Sequence, residues 1–143
     1  PDAVILSGGN NIGEYPERDC TENYLLNWAM KQRKPVLGIC RGLQMMATWA
    51  GSKLVRIKKH VNTHHKIITN MEFGDFPDNV NSFHDWGLYE TPKDFCAIAH
   101  CEDASIEAIK HNDLPWEGWM WHPERENPFL EEDNKRLKNL LLI

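Results

Sequence analysis

The chain has 143 residues, 41% hydrophobic and 26% charged, which is ordinary globular usage; it excludes a disordered or fibrous chain and predicts one core-forming domain over residues 1–143. Acidic residues outnumber basic ones, 21 against 16, and the resulting net charge of −5 argues against a nucleic acid partner. No apolar run approaches the ~20 residues of a membrane helix, and Pro1-Asp2 does not open a signal peptide, so no membrane role is expected. Cys20, Cys40, Cys96 and Cys101 contain no CxxC pair, and reduced thiols in a cytoplasmic protein are predicted.

In chain order, Ala3-Val4-Ile5-Leu6 is apolar on both faces, as in a buried parallel strand, and stops at the turn signal Ser7-Gly8-Gly9-Asn10-Asn11. Asp19 with Glu22 predicts a capping box, followed by a helix in which Tyr24, Leu25, Trp28 and Ala29 repeat at helical spacing to about Gln32. Lys34-Pro35 breaks it, and Val36-Leu37-Gly38-Ile39 predicts a second buried strand. Leu43, Met46, Ala47 and Ala50 mark the face of a second helix, with Gly51 suited to its end. This strand–helix–strand–helix alternation predicts an α/β fold with a mostly parallel sheet.

The remainder is less regular. Leu54–Ile57 and Lys66–Ile68 are strand candidates, and Phe73–Pro77 reads as loop. Phe95–His100 and Ser105–Lys110 can pair across Glu102-Asp103-Ala104. Trp116–Trp121 predicts a strand ending at His122-Pro123-Glu124, and Glu131–Leu142 a final helix. The chain enters its first strand at once and without an initiator methionine, so an N-terminal portion is expected to precede it.

The strongest chemical signal is Gly38-Ile39-Cys40-Arg41-Gly42-Leu43-Gln44. A strand runs into a reactive side chain, small residues flank it, and a helix follows: a nucleophile elbow written around cysteine. The helix N-terminus beneath favours a thiolate at Cys40 and an oxyanion beside it; the alternative is a buried structural cysteine. Among seven histidines, His122 stands at a strand end with Glu124 two residues on, where side chains of a strand share a face, so Glu124 can orient the imidazole as a base for the thiol. The alternative is a loop histidine beside a solvated glutamate. The Gly8-Gly9 turn either donates half of an oxyanion hole, with Arg41 N–H as the other half, or is a turn only. His60, His64 and His65 cluster locally but lack HExxH or cysteine-pair spacing, so no metal site is expected. The tryptophans read mainly as packing, with Trp116, Trp119 and Trp121 near the candidate site as possible exceptions.

Together these residues resemble the class I (triad) glutamine amidotransferases, in the branch grouped as peptidase family C26. That family's Gly-Ile-Cys-Arg-Gly-x-Gln stands at 38–44, its His-Pro-Glu at 122–124 and its glycine pair at 8 and 9. Arg18-Asp19-Cys20-Thr21-Glu22 and Val80-Asn81-Ser82-Phe83-His84 are similar to stretches of its γ-glutamyl hydrolases. Asn81–His84, Ser105-Ile106-Glu107-Ala108 and Trp121–Asn127 are most similar to the γ-glutamyl-CDP-amidate hydrolases of capsule phosphoramidate synthesis.

The resemblance implies a flavodoxin-like three-layer αβα fold lacking its first strand–helix units here. It implies hydrolysis of a γ-glutamyl amide through a thioester on Cys40, with His122 as acid and base and Glu124 as its partner. Gly9 and Arg41 would supply oxyanion donors, and Gln44, Ser82 and His84 would hold the glutamyl group. No cofactor is implied. The substrate would be a γ-glutamyl compound, nucleotide-linked or otherwise, or glutamine. Arg125, Lys66 and the nearby tryptophans are candidates for meeting a nucleotide leaving group. Asp85-Trp86 replaces the His-Gln usual in polyamine-pathway relatives, which weakens a γ-glutamyl-aminobutyrate substrate. Rival expectations are a glutaminase module serving a synthetase partner, a non-catalytic binding protein on the same fold, and a zinc-binding regulator using His60, His64 and His65; a homo-oligomer is also compatible.

Overall fold

The computed structural model describes residues 1–142. Strand β1 (Val4–Leu6) leads through a glycine-containing loop to α1 (Pro16–Gln32), and β2 (Val36–Ile39) turns directly into α2 (Arg41–Trp49). There follow β3 (Val55–Arg56), β4 (Thr63–Thr69), β5 (Asn79–Ser82), β6 (Trp86–Gly87), β7 (Phe95–Cys101), β8 (Ile106–His111), β9 (Trp116–Trp119) and α3 (Glu131–Leu141). One-turn 3₁₀ segments stand at Met71–Phe73 and Pro123–Arg125.

A seven-stranded sheet has the order β1-β2-β9-β8-β7-β4-β5, and β3 pairs with β6 in a separate ribbon. The sheet is mixed, which corrects the expectation of a mostly parallel one. Among the described residues only β1–β2 and β2–β9 pair in parallel; the ladders from β9 through β8, β7 and β4 to β5 are antiparallel. Helical crossovers follow only β1 and β2. The short turns after β7 and β8 leave room only for an antiparallel return.

The three layers are as expected. On one face, Val4, Leu6 and Val36 pack under Leu26 and Ala29 of α1 and Leu43 and Met46 of α2. On the other, Leu37, Ile39, Trp119 and Trp121 meet Leu137 and Leu140 of α3. Polar contacts fix α3: Trp121 Nε1 donates to Asp133 Oδ1 at 3.1 Å, and Arg136 Nη2 donates to Glu117 Oε1 at 2.9 Å. Trp116, Trp119 and Trp121 are fully buried, so all three are packing residues rather than an exposed stack.

Other departures have local causes. α1 starts at Pro16, whose fixed φ suits a first helical position, after Tyr15, which makes no side-chain cap. Asp19 and Glu22 therefore lie inside the helix rather than forming a capping box. The 54–57 candidate shrinks to Val55–Arg56, the 66–68 candidate lengthens to Thr63–Thr69, and the 116–121 strand ends at Trp119. β5 carries two Asn and a Ser, poor strand formers that give no strand signal in sequence; it is held as a sheet edge by pairing with β4. The expected hairpin of β7 and β8 forms, pairing Phe95 with His111 and Ala97 with Ile109.

Candidate active site

Because β1, β2 and β9 run parallel, their C-terminal ends share one edge of the sheet, the usual place for sites in open α/β folds. That edge gathers the Gly8-Gly9 turn, Cys40 and, just beyond β9, His122. Cys40 sits between β2 and α2 at φ 50°, ψ −101°, a conformation that costs a non-glycine residue strain and is tolerated when the surroundings over-determine it. Its N–H donates to Trp119 O at 2.7 Å, and its carbonyl accepts from Gln44 N–H at 3.1 Å. A β-carbon on Gly38 would stand 2.6 Å from the Gly42 carbonyl carbon and 2.6 Å from Met46 Sδ, so glycine is what lets α2 lie against β2.

The expected thiolate is corrected. Burial pushes the Cys40 thiol up to about 11, and the Arg41 N–H and the Arg125 charge oppose this only in part. Desolvation outweighs the helix end, so in this state Cys40 carries its proton and needs a base to remove it.

His122 precedes the 3₁₀ turn Pro123–Arg125, and it is this turn that brings Glu124 back to the ring, rather than strand alternation, since β9 has already ended. Glu124 Oε1 lies 2.6 Å from His122 Nδ1. With the Nδ1 proton given to a carboxylate, the neutral ring presents the Nε2 lone pair. Asn81 clamps the main chain here: its Oδ1 accepts from His122 N–H at 2.8 Å, and its Nδ2 donates to His122 O at 2.8 Å. Phe83 meets the His122 ring edge to face at 5.9 Å, and Arg125 lies 4.0 Å above the Phe83 ring. A β-carbon on Gly8 would approach His122 Cε1 to 2.6 Å, so the glycine turn and the imidazole are immediate neighbours.

The glycine turn rests on an ionic chain that spacing did not reveal. Arg18 Nη2 donates to Ser7 O at 2.8 Å and Gly8 O at 3.1 Å, and Arg18 Nε donates to Glu22 Oε1 at 2.8 Å. Glu22 also accepts from Arg41 Nη1, and Arg41 Nη2 donates to Asp19. Asp19 Oδ2 in turn accepts from Gly13 N–H at 2.8 Å. The side chain of Arg41 thus ties the elbow to α1 and to the loop after β1. Gly9, at φ 149°, has Arg18 Nη1 where a β-carbon would be. Arg18, Asp19 and Glu22 stood out in sequence only through the resemblance of the 18–22 stretch to γ-glutamyl hydrolases, and Asn81 only as part of Val80–His84.

Gln44 and His84 meet at one carbonyl: Gln44 Nε2 donates to Trp86 O at 3.0 Å, and His84 Nδ1 donates to the same oxygen at 2.9 Å. Gln44 lines a cleft of about 580 Å³ with Asn11, Gly13, Arg56 and Trp86. Ser82 Oγ donates to His60 O at 2.7 Å, so both Ser82 and His84 are buried and already engaged by protein. The local histidine cluster splits. Alternation along β4 turns His64 outward, near Glu126, while His60 and His65 face inward. All four cysteines are free, and among the described residues no helix is long and apolar enough to cross a membrane.

The chain is similar to known proteins over most of its length. It is 34% identical over 131 residues to a γ-glutamyl-CDP-amidate hydrolase of Campylobacter jejuni subsp. jejuni, covering 87% of this chain and 63% of that protein. It is 29% identical over 145 residues to a glutamine-hydrolyzing GMP synthase subunit of Methanocaldococcus jannaschii, covering 98% and 72%. Of the first curated relatives it spans 63% and 66% of the length. A protein provisionally assigned as a GMP synthase subunit, from Thermoplasma acidophilum, superposes with a TM-score of 0.81 at 25% identity, covering 98% of this chain and 71% of that one. A glutamine amidotransferase from Thermotoga maritima shares the fold, with a TM-score of 0.74 at 22% identity over 99% and 64% of the chains. The sequence model described as Peptidase C26 matches residues 2–124, and on that match the chain belongs to the peptidase C26 family, on the class I glutamine amidotransferase-like fold.

Proposed function

We propose that this chain hydrolyses a γ-glutamyl amide bond through a thioester on Cys40, and that its substrate is a γ-glutamyl conjugate with a nucleotide-linked leaving group. The observation that carries this is the strained Cys40 elbow on the same sheet edge as a His122 ring oriented by Glu124 at 2.6 Å. His122 Nε2 takes the thiol proton while Cys40 Sγ attacks the γ-carbonyl carbon. The tetrahedral oxyanion receives the backbone N–H groups of Gly9 and Arg41. His122 then returns the proton to the amide nitrogen, the C–N bond breaks, and the amine leaves. Water, deprotonated by His122, attacks the thioester; glutamate departs and the thiol is restored. Glu124 stabilises the imidazolium in both halves.

Gln44 and the Ser82–His84 segment are the proposed support for the glutamyl α-amino and α-carboxylate groups. Their fixed positions around Trp86 O and His60 O favour a preorganised pocket wall. The similarity to the Campylobacter jejuni hydrolase favours the nucleotide amidate, and Arg125, stacked on Phe83, is the proposed cation for a leaving phosphate. A second reading is favoured by the relatives that are GMP synthase subunits: a glutaminase that serves a synthetase partner.

Glutamate release from glutamine, from simple γ-glutamyl amides and from a γ-glutamyl nucleotide amidate separates the two. Release chiefly from the nucleotide amidate, lost in Cys40→Ala, is the expected result. Release chiefly from glutamine, rising when a synthetase is added, would establish the second reading instead. No release by folded protein would overturn both.

A further inference from the structure

Beside the candidate pocket, β4, β7, β8, the loop before β4 and the loop after β5 bury a cluster of which the proposed hydrolysis uses His84 alone. Glu107 on β8 has no exposed side-chain surface, and three imidazoles converge on its Oε1: His65 Nε2 at 3.1 Å, His60 Nδ1 at 3.4 Å and His84 Nε2 at 3.7 Å. The His60 and His84 side chains are only 3% and 1% exposed. Among the described residues, neither Glu107 oxygen nor any of these three ring nitrogens has a hydrogen bond of normal geometry. Donor atoms of His60, His65, Glu107 and Cys101 all lie within 4.8 Å of one another.

The far sides of two rings fix which way their lone pairs point. His60 Nε2 lies 2.8 Å from Asp103 Oδ2, and Asp103 is itself held by Ser105 N–H at 2.9 Å and Ser105 Oγ at 2.6 Å. His84 Nδ1 faces Trp86 O, an acceptor only. In their neutral forms both rings therefore direct lone pairs at a carboxylate, an arrangement that either a shared metal cation or a proton on each ring makes favourable. A carboxylate behind a ligating histidine is also the usual outer partner that orients an imidazole on a metal.

We propose that His60, His65, Glu107 and Cys101 form a structural site for a divalent transition metal of the zinc class, with Asp103 orienting His60. Two imidazoles, a thiolate and a carboxylate match zinc's donor preference and supply the four ligands of a closed structural site. Binding releases the Cys101 thiol proton to solvent, and the metal–sulfur bond replaces the S–H bond. The ion enters from a cleft of about 640 Å³ lined in part by His60, His65, Cys101 and Asp103. It fixes His60, whose carbonyl accepts from Ser82 Oγ and from His84 N–H, and so steadies the segment beside the candidate pocket.

Sequence spacing hides this set. His60 and His65 are local, but Cys101 and Glu107 arrive through the β7–β8 hairpin, and His64, the third member of the local cluster, points away.

The test is metal content and binding on the purified chain. Elemental analysis is expected to give one zinc per chain. Zn²⁺ added to chelator-treated protein is expected to restore that ratio, release a proton and raise the thermal midpoint. Co²⁺ is expected to give a thiolate charge-transfer band, absent in Cys101→Ser. Asp103→Asn is expected to weaken binding on the order of 10- to 100-fold while leaving the stoichiometry intact. His64→Ala serves as the control that changes nothing. Failure of the unmodified chain to bind Zn²⁺ stoichiometrically would overturn the proposal and leave a cluster neutralised by protons; so would binding unaltered in Cys101→Ser and His65→Gln. Neither readout depends on hydrolytic activity, so the site stands or falls separately from the proposed reaction.

Discussion

A β-carbon on Gly42 would stand 2.1 Å from the carbonyl oxygen of Leu6, so the first turn of α2 touches the backbone of β1. Backbone cannot swing aside as a side chain does. Gly42→Ala is expected to cost about 3 kcal/mol or more, read by urea unfolding, as strongly overpacked sites do. Gly51→Ala is the comparison: nothing lies within 4 Å of the added carbon, but φ is 90°, so the cost is conformational and about 1 kcal/mol. Equal losses for the two would refute the contact argument.

Alkylation reports the state of Cys40. With the thiol pushed up to about 11 by burial, the reactive thiolate is scarce at neutral pH. Iodoacetamide modification of this residue, followed by peptide mass, is expected to rise about tenfold per pH unit from pH 7 to 9, since the thiolate fraction does so below the pKa. A rate already level at pH 7 would mean that His122 has taken the proton before substrate arrives.

Glu124→Gln keeps the shape beside His122 Nδ1 but removes the charge that stabilises an imidazolium. If His122 cycles a proton as proposed, kcat is expected to fall on the order of 10²-fold with KM little changed. The side chain of Glu124 is 55% exposed, so solvent screens part of its effect. An unchanged kcat would remove Glu124 from the reaction.

Arg41 is buried to 2% exposure and shared by Asp19 and Glu22. Arg41→Met removes one cation and leaves Glu22 with Arg18 and Asp19 with the Gly13 N–H as their remaining partners. The expected loss of stability is about 3 kcal/mol, the usual cost of breaking a buried ion pair from one side. Lowering the salt concentration is not expected to recover it. A loss under about 1 kcal/mol would show that water reaches Asp19 and Glu22 freely.

Asp133 gives a pH signature. Burial raises its carboxyl from 3.8 to about 6, with Trp121 Nε1 opposing. Between those values the folded chain keeps a proton that the unfolded chain has lost, so this residue's contribution to stability falls as pH rises through the window and stays low above it. Asp133→Asn keeps an oxygen for the indole N–H. It is expected to be more stable than the parent above pH 6, by about 1 kcal/mol or more, with the advantage shrinking toward pH 4. An advantage that grows on acidification would reverse the assigned shift.

What could be read in advance follows the range of the forces involved. Val36–Ile39 and the Cys40 elbow were legible because the pattern is local: an apolar strand, two glycines and a helix face lie within a few turns of one another. The β7–β8 hairpin was legible for the same reason. The direction of pairing at β4 and β5 was not, because strands rich in His, Asn and Thr take their place from neighbours distant in sequence.

At the candidate site, the Cys40 elbow and the contact of Glu124 with His122 were legible by chemistry and order, while their catalytic roles belong to the proposal. The roles of Arg18, Arg41 and Asn81 as braces were not legible, because side-chain contacts between separate elements leave no periodic trace. The thiolate expectation failed at Cys40 because a helix end can be recognised from residues, whereas the depth of burial that outweighs it depends on the whole fold.

The pairing of β2 with β9 also has a consequence for how the chain matures. Trp116 and Lys34, hydrogen-bonded across this junction, are 82 positions apart. A ribosome that has emitted the Cys40 elbow has not yet made the strand that flanks it or the imidazole beyond. On the proposed chemistry, a nascent or prematurely terminated chain ending before β9 carries the nucleophile without its base, and hydrolysis switches on only when that last strand closes the sheet.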